Sequence, residues 1–542
     1  MTNKANLNSE QPGAWKSPLS PEEILKKANT PAGIINCAKR LFIIEARPGE
    51  NGRNALIELV PGSTPRETLS GNYNIRSRVH EYGGSCTTTG NGDEIFFCNF
   101  TDQRIYRLIP GSEPVAVTAE AKLRFACLEF DHRRNLLFAV MEDHTDSDLE
   151  PENCIVTIDP LNGDIKKIST GHDFYAFPCL SDDGLKLAYI CWNHPDMPWD
   201  ATELHVLELD PQGHPGPDKK IAGNGHESIT QPEWHGDRLL YVSDISGWWN
   251  LYSYKNGRSE NLLEKESDFA KPMWAIGARS YTCLDHDNIF VTWCTQAQWQ
   301  AGILNIGTGK LLALDLPYNS YASLVSTEKK IYFIGSSFTT LPEVVAFDLQ
   351  SRKAETVFSS GEIPVQSDYI SIPESIEYEA APGEMVQAFY YPPKNPDYLA
   401  HEPPPLLVTS HGGPTGSASL SFSLLTQFWT TRGFAVVDVN YSGSSGFGRK
   451  YRDRLKANWG IKDVRDCEQA AVHLVKEGLA DKNRIAIRGG SAGGFTTLCA
   501  LTFTGTFQAG ASHFGLSDLE ILARETHKFE SRYMDSLIGP YP

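Results

Sequence analysis

The chain has 542 residues, 40% of them hydrophobic and 21% charged, with a formal net charge of −18. That length holds more than one domain, and that acidity excludes nucleic acid and anionic membrane as partners. Eleven scattered cysteines without a CxxC pair exclude a disulfide or zinc framework and read as small buried hydrophobes of a reducing, cytoplasmic compartment.

The start, Met1-Thr2-Asn3-Lys4, lacks the apolar core of a signal peptide. No stretch approaches the ~20 apolar residues of a membrane span. Residues 1–32 are polar and read as an arm. Trp15 and the helix-like Pro21-Glu22-Glu23-Ile24-Leu25 give it a face to pack on a domain.

From 33 to 365 one theme recurs: two short β-rich runs, then turn residues. Leu41–Ile44 precedes Ala55–Leu59, and Ile331–Ile334 precedes Val344–Phe347, with five further copies between them. Seven copies at a period of ~40–50 residues predict a seven-bladed β-propeller. A β-sandwich pair, the other all-β option, does not need seven equal units. Trp248 and Trp249 read as blade packing or as a loop at the cavity mouth.

Past residue 366 the texture changes. Strands are expected at 370–373 and 385–390. Then strands and helices alternate: a strand at 406–409, a helix within 420–432, a strand at 434–439, a helix over 462–478, and strands at 484–488 and 509–512. Alternation of this kind means a parallel sheet with helices on its faces. Asp463 and Asp466, in the first turn of the long helix, read as complements of the helix dipole.

The segment Gly489-Gly490-Ser491-Ala492-Gly493-Gly494 lies between a strand and a helix. Gly-x-Ser-x-Gly in that context is a nucleophile elbow, which lifts the Ser491 hydroxyl clear of the sheet. The Ala492 N–H, at the helix start, faces a developing oxyanion. His411-Gly412-Gly413-Pro414 follows the 406–410 strand, where an α/β-hydrolase places its second oxyanion donor, here the Gly413 N–H.

With Asn440–Gly448, Glu530-Ser531-Arg532-Tyr533 and the seven units ahead of them, these motifs give a specific resemblance. The chain resembles the prolyl oligopeptidase family of serine peptidases, nearest its acylaminoacyl-peptidase and dipeptidyl-aminopeptidase-like branch. The resemblance implies a seven-bladed propeller capping an α/β-hydrolase domain at 366–542 and admitting short peptides. It implies Ser491 as nucleophile and Gly413 and Ala492 as oxyanion donors. It places Phe529 where the family lines the pocket for the residue before the scissile bond, although an apolar residue there also reads as core. It lets Glu81, in Arg78–Gly84, face the central cavity and bind a substrate amine, although a turn role also fits. No metal and no cofactor are expected, because His172, His194, His226 and His286 lack ligand spacing.

Two departures matter. Phe447 stands where prolyl oligopeptidases proper carry a tyrosine that assists the oxyanion, which leaves the backbone donors alone. The triad Asp and His of the family are expected beyond Pro542, since 51 residues follow Ser491. His513 and His527 are the local substitutes. The domain at 366–542 is therefore expected to be partial and the chain, taken alone, close to inactive. The function expected is a serine peptidase releasing N-terminal aminoacyl, acyl-aminoacyl or dipeptidyl groups from short peptides. An esterase and a non-catalytic propeller scaffold are the alternatives. The propeller, a size filter an esterase does not need, favours peptides.

Overall fold

The computed structural model describes residues 8–26, 28–146 and 150–541. Met1–Lys4, expected to carry no signal peptide, lie outside the described residues.

Seven four-stranded antiparallel sheets follow one another at 30–67, 87–116, 123–169, 174–222, 229–261, 281–314 and 320–359. In each, every strand pairs with its neighbour in sequence. This is a seven-bladed β-propeller. The paired runs seen in the sequence are the two middle strands of each blade, such as Lys186–Trp192 and Glu203–Leu209. The innermost strand of the first blade, Thr30–Cys37, meets that of the last, Ser320–Ser326, where the Ile34 N–H donates to Ser323 Oγ at 2.8 Å. Ile34, Ile43, Ala55 and Ile57 pack there against Ile334 and Val344, so the ring closes on apolar contact between blades that are far apart in sequence.

Four of the innermost strands carry bulges at a left-handed residue. Cys127, Phe177, Gln231 and Ser323, one in each of four blades, adopt left-handed φ values of 50 to 57° where the strand register shifts. An extra residue interrupts the in–out alternation.

The remaining strands form one six-stranded sheet. Its order is Glu374–Ala381, Glu384–Tyr391, Ala435–Asn440, Leu406–Ser410, Ile485–Gly490, Ala509–His513. The last four run parallel, with helices Leu424–Thr430, Lys462–Lys476 and Ala492–Phe503 between them. This is the core of an α/β-hydrolase. The strand expected at 370–373 is not formed. Ser371 is instead held in a loop, its N–H donating to Gln427 Oε1 at 2.8 Å and its hydroxyl to the Pro392 carbonyl. The strand starts at Glu374.

The arm packs on this sheet's domain. Trp15 stacks on Tyr398 at 5.4 Å, and the Gly13 N–H donates to the Arg432 carbonyl. Ser20 and Glu23 form a capping box on the helix Pro21–Leu25.

Asp463 and Asp466 do more than complement a dipole. Both are fully buried. Asp463 accepts from the Thr496 hydroxyl at 2.6 Å and from the Gly460 N–H, which ties the long helix to the one that follows Ser491. Asp466 accepts from the Ser442 N–H at 2.8 Å and pairs with Arg465.

Propeller and hydrolase meet through two buried propeller carboxylates. Asp244 pairs with Arg449 at 2.8 Å and Arg452 at 2.5 Å. Asp268 accepts from the Gly446 and Gly448 N–H groups at 3.0 and 3.2 Å. Trp249 is buried in this junction, with the Arg452 guanidinium 4.1 Å over its ring. Trp249 is therefore interface rather than blade packing alone.

Candidate active site

The strand Ile485–Gly490 lies beside Leu406–Ser410 in register, with Ser410 opposite Gly489. Both chains leave the sheet at the same end, which brings His411–Pro414 against the serine turn. A Cβ on Gly412 would stand 3.7 Å from Ser491 Cβ.

Ser491 has φ 52° and ψ −120°, a conformation that side-chain-bearing residues rarely adopt. It is exposed, and it opens the helix Ala492–Phe503. The tightness has a cause at Gly493: a Cβ there would collide with the Ser410 carbonyl. Gly413, at φ +128°, turns the other loop, and a Cβ on it would meet the Thr415 nitrogen at 2.7 Å. Among the described residues neither the Gly413 nor the Ala492 N–H donates to a protein acceptor. Both open donors belong to the two turns that meet at Ser491, and open N–H groups suit an anion.

The His411 loop is braced from behind. The His411 ring stacks on Tyr441 at 4.2 Å, its Nε2 lies 2.7 Å from Ser444 Oγ, and the Tyr441 hydroxyl donates to the His411 carbonyl at 2.9 Å. The Phe447 ring packs on Tyr451 at 4.8 Å and offers no donor.

Beside this loop stands an aromatic cluster that sequence reasoning missed apart from Phe529. Phe529 is 2% exposed. Its ring lies 5.7 to 6.4 Å from those of His80, Tyr82, Phe174, Trp192, Trp199 and Trp274, all from the propeller. Trp274 Nε1 donates to the Thr415 carbonyl at 2.7 Å, and Tyr533 holds the Thr415 hydroxyl at 2.6 Å. Trp199 and Trp274 come from loops without periodicity, so spacing could not mark them. Burial pushes the His80 imidazole down to about 4, so its ring is neutral.

Glu81, at φ 65°, sits at the edge of this cluster. Its carboxylate is shared between Arg124 at 2.5 Å and Arg78 at 2.9 Å. Burial works against its ionisation, but the two guanidinium groups outweigh it and hold the pKa below the usual carboxylate value. The neighbouring Tyr82 hydroxyl donates to Glu530 of the hydrolase segment.

Neither local histidine reaches the serine. His513 lies on the exposed strand Ala509–His513. Its carbonyl accepts the Ser491 N–H at 2.9 Å, while its ring turns to Arg488 at 3.4 Å. His527 faces Tyr82 and Glu530. Among the described residues no side chain hydrogen-bonds the Ser491 hydroxyl.

One group of metal-capable side chains is brought together away from this site. Ligand atoms of His172, Cys191, Glu203 and His205 lie within 4.8 Å of one another in the fourth blade. Strand pairing assembles them, not sequence spacing, so His172 has partners that the sequence did not reveal. The nitrogens of His205 are already engaged by Glu203 at 3.0 Å and Asp218 at 3.2 Å, Lys220 pairs with Glu203, and burial raises the Cys191 thiol. The group reads as a hydrogen-bonded network.

A strained serine at a strand-to-helix turn, open N–H groups on both sides and a propeller over the top define a serine hydrolase of the propeller-capped class. The comparisons narrow this. The model of the prolyl oligopeptidase family matches residues 420–541. A puromycin-hydrolysing peptidase from Mycobacterium tuberculosis is 34% identical, with a TM-score of 0.93 over 98% of this chain and 85% of its own. A solved puromycin hydrolase gives 32% identity and the same TM-score and coverage. The dipeptidyl aminopeptidase BIII of Pseudoxanthomonas mexicana is 35% identical over 26% of this chain, and the match spans only 21% of that protein's length. The dipeptidyl peptidase family member 6 of Caenorhabditis elegans is 31% identical over 38% of this chain and 27% of its own. The chain belongs to the prolyl oligopeptidase family of serine peptidases, related to its acylaminoacyl and dipeptidyl peptidases. Among the described residues no helix is long and apolar enough to cross a membrane.

Proposed function

We propose that the protein hydrolyses short peptides, releasing N-terminal aminoacyl, acyl-aminoacyl or dipeptidyl groups through an acyl-enzyme on Ser491. The observation that carries this is the Ser491 backbone, held at φ 52° between the open N–H groups of Gly413 and Ala492. Attack of the hydroxyl on the carbonyl puts negative charge on its oxygen, and those two donors meet it. As the carbonyl re-forms, the peptide C–N bond breaks and the amine leaves with the proton taken from the hydroxyl; water then cleaves the ester. The base that takes the hydroxyl proton is a histidine held by a carboxylate, supplied from outside the described residues. Phe529 and its aromatic neighbours give the residue before the scissile bond an apolar wall. Glu81 offers the substrate amine a carboxylate in competition with Arg78 and Arg124. The eleven unpaired cysteines favour a cytoplasmic, reducing location.

A catalytically incomplete form is the second reading, and the lone Ser491 hydroxyl favours it. One experiment separates the two: fluorophosphonate labelling of these 542 residues and of any longer protein that contains them. Labelling of the longer protein alone supports the peptidase with an external base. Labelling of neither supports the incomplete form. Stoichiometric labelling of the 542 residues removes the external base and points to His513 or His527.

A further inference from the structure

A cavity of about 690 Å³ runs through the propeller, lined by the innermost strands. The chain carries 67 acidic residues against 49 basic ones, yet among the described residues no carboxylate lines this space. Three cations do: Arg76, Lys271 and Arg279. Arg279 is neutralised by Glu233 at 3.1 Å. Among the described residues Arg76 and Lys271 form no ion pair. Instead the Arg76 guanidinium lies 4.9 Å over the Phe100 ring and Lys271 Nζ lies 4.6 Å from the Trp299 ring centroid. A ring face steadies a cation without using up its N–H donors. Both residues are exposed and line the cavity, where desolvation lowers the Lys271 pKa from its usual value. Serine, threonine and asparagine side chains fill much of the remaining wall, including Asn36, Ser85, Thr87 and Thr89.

One loop links the cavity wall to the serine site. Lys271, Pro272 and Met273 line it, and the next residue, Trp274, donates to the Thr415 carbonyl beside Gly413. Three residues span at most about 11 Å. Tyr82 likewise lines the cavity and donates to Glu530. Near Tyr82 stand Glu81, Arg78, Arg124, Glu142 and Glu530. Glu81 is paired with both arginines, so it does not cancel the cavity's charge.

We propose that the propeller cavity is an anion-selecting subsite, in which Lys271 and Arg76 receive a carboxylate of the peptide's departing, C-terminal part. The inference rests on the peptidase reading. A peptide whose N-terminal end acylates Ser491 sends its other end away from the serine, and one-sign walls in an enclosed space concentrate the opposite charge. The carboxylate comes from the C-terminus or from an acidic side chain.

The test uses the whole protein that carries this chain and three peptides: tetra-alanine, tetra-alanine amide, and an amide with glutamate at its third position. Turnover is followed by amine release, and affinity is measured calorimetrically on the Ser491→Ala protein. The free acid should exceed the plain amide about tenfold in kcat/KM and in affinity, the scale of a hydrogen bond to a charged group. Lys271→Met with Arg76→Gln should bring that ratio near one, and so should raised salt. A glutamate amide that matches the free acid assigns the subsite to any carboxylate; one that matches the plain amide assigns it to the C-terminus. Equal affinity for all three peptides in the unsubstituted cavity overturns the inference, as does a preference that survives both substitutions. If no peptide is turned over, the peptidase reading fails, and the affinities on Ser491→Ala still decide the subsite.

Discussion

The propeller and the hydrolase sheet solve the same packing problem in opposite ways. In the propeller every strand pairs with the next in sequence, and seven similar units bury one another. In the hydrolase sheet the strand Leu406–Ser410 sits between two strands that both come later in the chain. The first arrangement repeats a local rule. The second brings distant residues to one edge, and that is where a reactive site can be built: Gly413 and Ser491 are neighbours because two parallel strands end together. The propeller contributes what repetition makes cheaply, a walled cavity and a rim of aromatic rings. The hydrolase contributes the strained serine.

If that division holds, the largest effect belongs to one hydrolase side chain. In a protein that carries this chain together with its base, Ser491→Ala should lower peptide hydrolysis by roughly 10⁵-fold with the circular dichroism unchanged. Turnover near the starting level would take the chemistry away from the elbow.

The junction should be next. Asp244→Asn leaves Arg449 and Arg452 without their carboxylate at a buried site, and should cost about 3–5 kcal/mol in denaturant unfolding. A loss below about 1 kcal/mol, the scale of an exposed pair, would mean that the two domains are not locked there.

Gly413→Ala tests the loop rather than the serine. Its Cβ would press on the Thr415 nitrogen and shift the N–H, so kcat should fall about 10²–10³-fold with KM little changed. A change in KM alone would make the loop a binding element.

The smallest effect is on the propeller side and depends on pH. His80 is buried and neutral, with its pKa down at about 4 from 6.5. The unfolded chain therefore binds a proton that the folded one refuses between those values. Stability is full above pH 6.5 and falls as pH drops toward 4, by about 3 kcal/mol from this group. His80→Leu should flatten that part of the stability–pH curve. An unchanged slope would move the sensitivity elsewhere.

Sequence alone determined the repeat count, the two middle strands of each blade and the serine elbow, because each is written in short-range pattern: alternation, turn residues, glycines at fixed offsets. The arm, the parallel sheet and the resemblance through His411–Pro414 were legible for the same reason. Four of the innermost strands were not, because bulges at Cys127, Phe177, Gln231 and Ser323 break the alternation that marks a strand. Nor were the roles of Asp463, Asp466, Asp244 and Asp268, since a buried acid and a solvated one look alike until partners from other elements arrive. The six rings around Phe529 and the residues that line the cavity lie on separate blades and loops. Only the closing of the ring, which sets distant blades side by side, decides that they share one space.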